Sequence, residues 1–256
     1  MIIAKQNFVS RGVSKAAHIS KLRLVIGGLQ KTTLIDYPGK VACTVFLIGC
    51  NFRCPFCYSS ELVLPEKIKN QSRISTKDFF SFLKDKRGLL DGVVICGGEP
   101  TINQDLPTFI SRIKKLGYLV KLDSNGSNPD MLAKLIKESL IDYIAMDIKA
   151  ILTEERYSQA IGTKVALRDI QKSIDLIKDS GIDYEFRTTV VPNFHTKEDI
   201  IEMAKMISPA KAYFLQSFRP EKTLDPKLEK IKPYNKEYLL EIRELIQGLF
   251  GTCQVR

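Results

Sequence analysis

The feature of this sequence that most constrains its fold is an alternation of short apolar runs with amphipathic segments. Beyond residue 24, the apolar runs recur at intervals of roughly 30 residues, and each is followed by a segment with helical periodicity. The runs are almost continuously apolar, as strands covered by helices on both faces are. The predicted strands span residues 41–48, 92–96, 118–123, 143–148, 184–191 and 212–218.

The helical segments begin at recognisable capping signals. Ser75 precedes one of them, and Asn128 precedes another that has proline at its first position. Thr196 has Asp199 three residues further on, which resembles a capping box. Strands that alternate with helices across short turns predict an α/β fold with a parallel sheet. Six strands are too few for a complete eight-unit barrel, but they suit a partial (β/α)6 TIM-like barrel.

The organisation along the chain is simple. There is no Gly/Ser-rich linker, low-complexity tract or internal repeat, so we predict one domain over 25–256. It ends in a helix from about residue 234, after a long loop over 219–233. We predict that residues 1–24 are an N-terminal extension, since their scattered basic residues do not resemble a secretory signal. No run reaches the ~18 apolar residues of a membrane helix. We therefore expect no membrane partner and a cytoplasmic location, where thiols stay reduced.

The chain is basic, with 39 Lys and Arg against 29 Asp and Glu and a formal charge of +10. Such a charge raises the question of a nucleic-acid partner. The lysines, however, mostly occupy predicted helix faces and are interleaved with acidic residues, which favours solvated helix surface. We therefore do not expect nucleic-acid binding. An acidic protein or electron donor attracted by this surface is the minority interpretation.

Three of the six cysteines fall within eight residues, directly after the first predicted strand. Cys50, Cys54 and Cys57 form a CxxxCxxC pattern at a carboxyl strand end, where sites in α/β sheets are built. A structural zinc site or an electron-transfer cluster normally takes four ligands. Three thiolates on a four-iron cluster would leave one iron open to a substrate.

Two other interpretations of these cysteines remain. They are buried thiols, or zinc ligands in a site completed by a further residue. The residues available to complete such a site are Cys43, Cys96, His18 and His195. Because Cys43 and Cys96 lie within strand patterns, we expect them to pack in the core, as we expect of Cys253. His195 follows the fifth strand, and we predict a surface or capping role for it.

The CxxxCxxC pattern, with Phe56 before the third cysteine, resembles the signature of the radical S-adenosylmethionine (SAM) superfamily. The segment GGLQKTTLIDYPGKVACTVFLIGCNFRCPFC also resembles the activating proteins of glycyl radical enzymes, above all those of anaerobic ribonucleoside-triphosphate reductase. The resemblance implies a partial barrel of the radical SAM type. It also implies that Cys50, Cys54 and Cys57 hold a [4Fe-4S] cluster and that S-adenosyl-L-methionine binds its open iron.

A glycine-rich motif ends the second predicted strand. Gly97 and Gly98 would let the backbone approach a ligand closely, and Glu99 could accept a bond from an ammonium group. A tight turn with a solvated Glu is the alternative. By resemblance, this motif holds the amino group of the SAM methionine.

Polar clusters also end the third and fourth predicted strands. They contain Asp123 and Asn125, then Asp147 and Lys149. Turn formation and helix capping would explain each cluster taken singly. By resemblance to the pyruvate formate-lyase activating enzymes, these four residues contact the ribose and carboxylate of SAM. A monovalent cation would lie nearby, facing Ser124 and the two aspartates.

Arg187 and Gln216 lie on the fifth and sixth predicted strands. An arginine inside a strand needs a partner or a polar cavity, so we favour a ligand-facing Arg187 over an ion pair with Glu185 or another acid. Two residues depart from the activator pattern. Tyr58 stands where the activators usually carry His, and the sixth strand lacks their SAM-contacting His, which Gln216 or Phe218 would replace.

The resemblance implies a mechanism that needs no nucleophile–base pair, and the sequence has no such pair. A flavodoxin- or ferredoxin-like donor would supply an electron, SAM would be cleaved to a 5′-deoxyadenosyl radical, and that radical would take hydrogen from a glycine of a partner enzyme under anaerobic conditions. One alternative is a radical SAM enzyme that acts on a small molecule, RNA or another peptide. Another, from a different class, is a zinc-dependent nucleic-acid-binding module.

Overall fold

The computed structural model describes residues 22–256, so residues 1–21 of the predicted N-terminal extension lie outside the described part. One eight-stranded sheet runs in the order β1 to β8. β1 pairs antiparallel with β2, and all the later neighbours are parallel. The strands are β1 Ile26–Thr33, β2 Ala42–Leu47, β3 Gly92–Gly97, β4 Leu119–Ser124, β5 Tyr143–Asp147, β6 Asp183–Val190, β7 Ala210–Ser217 and β8 Phe250–Val255.

Helices follow the parallel strands, as the alternating sequence pattern predicts. They are α1 Ser60–Val63, α2 Pro65–Ile68, α3 Thr76–Asp85, α4 Leu106–Lys114, α5 Pro129–Lys137, α6 Glu154–Ile161, α7 Leu167–Asp179, α8 Lys197–Ile207 and α9 Lys236–Ile246. Short 3-10 turns cover Pro100–Ile102, Pro226–Lys230 and Gln247–Leu249. None of the helices in the described part of the chain is long and apolar enough to span a bilayer.

The six predicted strands correspond to β2–β7, and the α/β prediction with a partial parallel barrel is confirmed. The sheet is wider than predicted, because β1 and β8 add one strand at each edge. The sequence interpretation also missed α6, and the predicted loop over 219–233 contains a 3-10 turn.

The helix starts follow the predicted capping signals. The Ser75 side chain accepts a hydrogen bond from the backbone of Asp78, and Asn128 does the same for Met131. Thr196 and Asp199 form the reciprocal capping box. These caps satisfy backbone N–H groups that the first turn of a helix otherwise leaves without partners.

The main core lies between the sheet and the surrounding helices, where large side chains such as Phe79, Phe109 and Phe186 are fully buried. A smaller cluster of Tyr37, Ala42 and Val94 packs separately. Because the parallel strands end on one edge, the segments that follow them meet there. That edge carries the candidate active site.

Candidate active site

The three clustered cysteines lie on the loop that follows β2 and line a single cavity of about 420 Å³. All three are free thiols. The backbone N–H of Phe52 donates to the Cys50 sulfur at 3.4 Å, and the N–H of Cys57 donates to the Cys54 carbonyl at 3.0 Å. The loop is therefore coiled so that all three sulfur-bearing residues face the same space.

Arg53 fixes the shape of this loop. Its Nη1 donates to the carbonyl oxygens of Cys50 and Phe52, both at 2.7 Å. Its backbone N–H donates to the carbonyl of Ile161, at the end of α6, at 2.8 Å. The next residue, Gly162, has a φ of +64°, and a Cβ there would lie 2.3 Å from the Arg53 carbonyl oxygen. Only glycine lets α6 end this close to the cysteine loop.

Burial keeps these thiols neutral when no metal is bound. It raises the pKa of Cys50 to about 12. It also raises the pKa of Cys54 to about 11, even though the nearby Lys149 ammonium lowers it. Buried thiols of this kind become thiolates when a metal centre compensates their charge.

The spacing of the candidate ligands differs from that of a formed zinc site. Zinc requires its ligands to converge on one ion at about 2.0–2.3 Å. Within residues 22–256, no three Cys, His, Asp or Glu side chains converge in that way. The thiolates of a four-iron cluster bind separate irons and need not converge on one point.

The other three cysteines were all predicted to pack in the core, and they differ in their burial. Cys43 is buried in β2, as expected. Cys253 is only partly buried in β8. We expected Cys96 to be a core thiol, but it lines the cavity. It is the residue of β3 that directly precedes Gly97, at the carboxyl end of the strand.

Gly97 and Gly98 bring the end of β3 against the cysteine loop. Gly97 has a φ of +119°, and a Cβ there would lie 2.3 Å from the Leu47 carbonyl oxygen. A Cβ on Gly98 would lie 1.9 Å from the Gly49 carbonyl oxygen. The Gly98 N–H donates to Leu47 at 2.9 Å, and the Glu99 N–H donates to Gly49 at 2.7 Å. Both glycines are required by this contact, and both line the cavity.

Glu99 joins the ends of β3 and β4. Its carboxylate is 1% exposed. Oε1 accepts from the backbone and hydroxyl of Thr101, at 3.0 and 2.5 Å, and from the Ser124 hydroxyl at 2.9 Å. Oε2 accepts from the Asn125 backbone at 2.6 Å and keeps a further lone pair. The side chain is therefore mainly a brace in this structure, although it also lines the cavity.

Arg187 lies at the centre of a buried charge network. Its Nη1 is 2.9 Å from an Asp123 carboxylate oxygen, and its Nε is 2.9 Å from an Asp147 oxygen. Lys121 pairs with Asp123, and Lys149 pairs with Asp147 at 3.0 Å. Arg187 therefore forms ion pairs, which were the alternative to a ligand-facing role. It also lines the cavity, so both descriptions hold.

The charges of this network determine the protonation of its aspartate side chains. Burial alone would raise the pKa of Asp147, but Arg187 and Lys149 outweigh it and lower that pKa to about 2. Arg187 and Lys121 likewise lower the pKa of Asp123 against the effect of burial. Both carboxylates are ionised at neutral pH. Glu185 also belongs to the network, because one of its carboxylate oxygens is 3.9 Å from Nη1 of Arg187 and 3.3 Å from Nη1 of Arg256. Four cations against three anions leave a local surplus of one positive charge, which suits an anionic ligand group.

The remaining predicted residues occupy different positions around the cavity. Tyr58 and Gln216 line it directly. The Asn125 amide donates to Asn51 at 3.0 Å and its Oδ1 accepts from Ser127 at 2.9 Å, so its side chain is bound within the loop network. Phe56 lines the cavity and packs its ring 5.6 Å from that of Phe194.

His195 is a correction to the sequence interpretation, since it is buried rather than at the surface. Its Nδ1 accepts from the backbone of Val191 at 3.0 Å, so its Nε2 carries the proton and donates to the Lys149 carbonyl at 2.8 Å. Burial lowers its pKa, which keeps the ring neutral. His195 therefore fixes the backbone of Lys149, a role that depends on a contact 46 residues away in sequence.

A second cavity of about 620 Å³ adjoins the first. The two share five lining residues, namely Asp36, Tyr58, Asp123, Arg187 and Gln216. The second cavity is also lined by Lys121, Arg219 and Arg256. Leu34 and Ile35, in the segment between β1 and β2, are 72% and 81% exposed, and Ile35 lines this cavity. Exposed apolar side chains beside a cavity are typical of binding sites.

The fold and the site together define the class of protein. A family model described as the Radical SAM superfamily matches residues 44–207, and the chain belongs to that superfamily. Radical SAM enzymes use a [4Fe-4S] cluster and SAM. Three free thiols on one cavity wall, beside a glycine-lined approach and a positive charge surplus, fit both groups.

Two individual proteins are similar to this chain over most of its length. The chain is 34% identical over 229 residues to a provisionally named glycyl-radical enzyme activating enzyme of Methanocaldococcus jannaschii, covering 88% of this chain and 91% of that protein. It is 24% identical over 233 residues to a provisionally named GTP 3′,8-cyclase of Thermococcus kodakarensis, covering 80% of this chain and 71% of that protein.

Solved structures share the fold. SuiB of Streptococcus suis bound to its precursor peptide SuiA superimposes with a TM-score of 0.60 at 16% identity, over 81% of this chain and 46% of SuiB. SuiB bound to S-adenosylmethionine gives a TM-score of 0.58 at 17% identity, over 81% and 48%. The chain thus spans about half the length of SuiB.

Proposed function

We propose that this radical SAM enzyme generates a glycyl radical on a partner enzyme, and that the partner is an anaerobic ribonucleotide reductase. The match to the M. jannaschii protein supports the activating role, because it runs over nearly the whole length of both chains. The observation that carries the proposal is the open second cavity flanked by exposed Leu34 and Ile35. A protruding loop of another protein would fill this space and cover these side chains.

Nine of the predicted residues have a defined task in this proposal. Cys50, Cys54 and Cys57 hold the cluster, on a loop that Arg53 shapes in advance. Gly97 and Gly98 allow the SAM amino group to approach the backbone of the β3 end. Lys149 and Arg187 balance the SAM carboxylate, while Asp123 and Asp147 keep those cations in place.

When bound, the cluster and SAM supply a reductive cleavage that yields methionine and a 5′-deoxyadenosyl radical. The chain itself orients SAM and excludes water, and the seated partner completes the enclosure. An electron donor of the flavodoxin or ferredoxin class would supply the electron.

The test is anaerobic reconstitution with iron and sulfide, followed by incubation with SAM and reductant. We expect about four irons per chain and formation of 5′-deoxyadenosine. Adding a glycyl radical enzyme from the same genome should give the doublet of a glycyl radical in electron paramagnetic resonance (EPR). A protein that cleaves SAM but radicalises no such partner would refute the activating role while leaving the enzyme class intact.

A separate variant tests the proposed docking of the partner. Leu34→Ser removes an exposed apolar side chain beside the second cavity and should raise the KM for the partner several-fold. SAM cleavage without the partner should not change. Leu245→Ser is the matched control, because Leu245 is also exposed but lies on α9. Equal effects of the two variants on the KM would refute the docking site.

A second candidate function is supported by the charge of the second cavity. Four of its lining side chains are basic, namely Lys121, Arg187, Arg219 and Arg256, and three are acidic, namely Asp36, Asp123 and Glu185. Among residues 22–256, Arg219 has no ion-pair partner. An anionic small molecule such as a nucleotide would suit this cavity, and a GTP cyclase is among the relatives. GTP-dependent formation of 5′-deoxyadenosine, with no response to a partner protein, would favour this candidate.

A further inference from the structure

Helix α6 presents a buried tyrosine to the cysteine loop. The carbonyl of Ile161 accepts the backbone N–H of Arg53, which immediately precedes Cys54, at 2.8 Å. Tyr157 lies one turn earlier on the same helix face, since residues four apart in a helix share a face. Its side chain is 0% exposed. Tyr157 and Cys54 belong to the same cluster of buried residues.

The hydroxyl of Tyr157 has no hydrogen-bond partner among residues 22–256. The phenol proton therefore lacks an acceptor in this part of the chain. The Lys149 carbonyl accepts from His195 and not from the Tyr157 phenol. Leaving a buried hydroxyl unpaired destabilises the folded protein, and phenylalanine would avoid that loss. A tyrosine here indicates an acceptor that is present in the working enzyme.

We propose that the Tyr157 hydroxyl donates a hydrogen bond to the Cys54 sulfur when that sulfur is a ligand of the [4Fe-4S] cluster. Cys54 fits this role because it is buried and directly follows Arg53, whose backbone N–H donates to the end of α6. As a neutral thiol Cys54 is a weak acceptor, and as a metal-bound thiolate it is a strong one. The inference rests on the ligand assignment made in the proposed function. Tyr157 is then a positioning residue that acts on the cluster through its ligand.

This hydrogen bond would tune the reduction potential of the cluster. Hydrogen bonds to the sulfurs of an iron–sulfur cluster help set its potential. Reduction adds negative charge to the cluster, so a donor stabilises the reduced state more than the oxidised state. Tyr157→Phe keeps the ring and removes only the donor. We expect it to lower the equilibrium constant for one-electron reduction about tenfold, which is 59 mV.

The experiment compares reconstituted wild type, Tyr157→Phe and Tyr118→Phe in an EPR-monitored redox titration without SAM. Tyr118 is the matched control, because it is buried and its hydroxyl donates to the Leu83 carbonyl at 2.6 Å, in a bond that does not involve the cysteine loop. We expect a more negative midpoint potential for Tyr157→Phe alone. Equal potentials for all three proteins would overturn the proposal.

A second measurement holds even if the Tyr157→Phe protein takes up too little cluster to titrate. Electron–nuclear double resonance of the reduced wild type in D₂O should show a coupled exchangeable deuteron. Absence of that coupling would refute the hydrogen bond. The Phe52 N–H, which donates to the Cys50 sulfur, is a second exchangeable group near the cluster. In a loaded Tyr157→Phe protein one exchangeable coupling of the wild type should disappear. Persistence of every coupling would assign them to water or to backbone N–H groups and would overturn the proposal. Failure of the ligand assignment is distinguishable, because then a reconstituted Cys54→Ala protein would still carry the four-iron cluster.

Discussion

Replacing Arg187 by leucine should destabilise the protein through the two carboxylates it would leave behind. The pKa of Asp147 is about 2, against 3.8 for an unperturbed Asp. At 1.36 kcal/mol for each pH unit, this corresponds to roughly 2.5 kcal/mol of stability that Asp147 contributes at neutral pH. Lys149 retains part of it, and Asp123 adds a contribution of the same sign. The expected loss is about 3 kcal/mol, at the low end for breaking a buried pair.

The assay is thermal unfolding of the reconstituted protein without SAM. For a chain of this size, 3 kcal/mol lowers the Tm by about 6–12 °C. Both aspartates have a folded pKa below the unfolded value. Their stabilisation is therefore fully present above the unfolded pKa and is lost as the pH falls through the folded pKa, which is about 2 for Asp147. Between pH 6 and 8, the difference in Tm between wild type and variant should therefore be constant.

Arg168→Leu is the control for this prediction. Arg168 is 3.8 Å from Asp169 and its side chain is 89% exposed, so its removal should change stability by no more than about 0.5 kcal/mol. If Arg187→Leu lowers the Tm no more than Arg168→Leu does, the reasoning about buried charge is refuted. A difference that grows as the pH falls from 8 to 6 would contradict it as well.

Two further predictions concern the cluster site. Gly98→Ala should reduce cluster uptake severely, because the new Cβ meets the Gly49 carbonyl oxygen at 1.9 Å, whereas Gly248→Ala meets nothing within 4 Å and should behave as wild type. Iron content after reconstitution measures both, and normal uptake by Gly98→Ala would contradict the predicted clash. Single alanine variants of Cys50, Cys54 and Cys57 should lose the four-iron cluster and SAM cleavage, while Cys253→Ala keeps both. Full activity in any of the three would remove that residue from the ligand set.

The central strands were predictable because they are buried on both faces and read as continuous apolar runs. The two edge strands were not. β1 carries the exposed polar segment Gln30 to Thr32, and β8 is exposed along much of its length. Helix α6 was missed because its buried face consists only of Tyr157, Ala160 and Ile161. Short elements with so few buried apolar residues give too little periodicity for a sequence pattern to detect.

The position of the site was also predictable, because parallel strands all end on one edge and polar residues follow each of them. The pairing between its residues was not. Arg187 bridges Asp123 and Asp147 from a third strand, and the Asn125 amide is held by Asn51, 74 residues away in sequence. His195 is buried by its contact with Lys149. Such contacts depend on the packing of elements that are distant in sequence, and no local motif encodes them.

The most direct test of the proposed activity follows one atom. A partner glycyl radical enzyme is prepared with glycine deuterated at Cα and incubated anaerobically with the reconstituted protein, SAM and a reductant. If the radical takes hydrogen from that glycine, the Cα–deuterium bond breaks and a bond to the 5′ carbon of deoxyadenosine forms. Mass spectrometry should then find one deuterium in the 5′-deoxyadenosine, alongside the EPR signal of a glycyl radical on the partner. Unlabelled 5′-deoxyadenosine with no radical on the partner would contradict the proposed function.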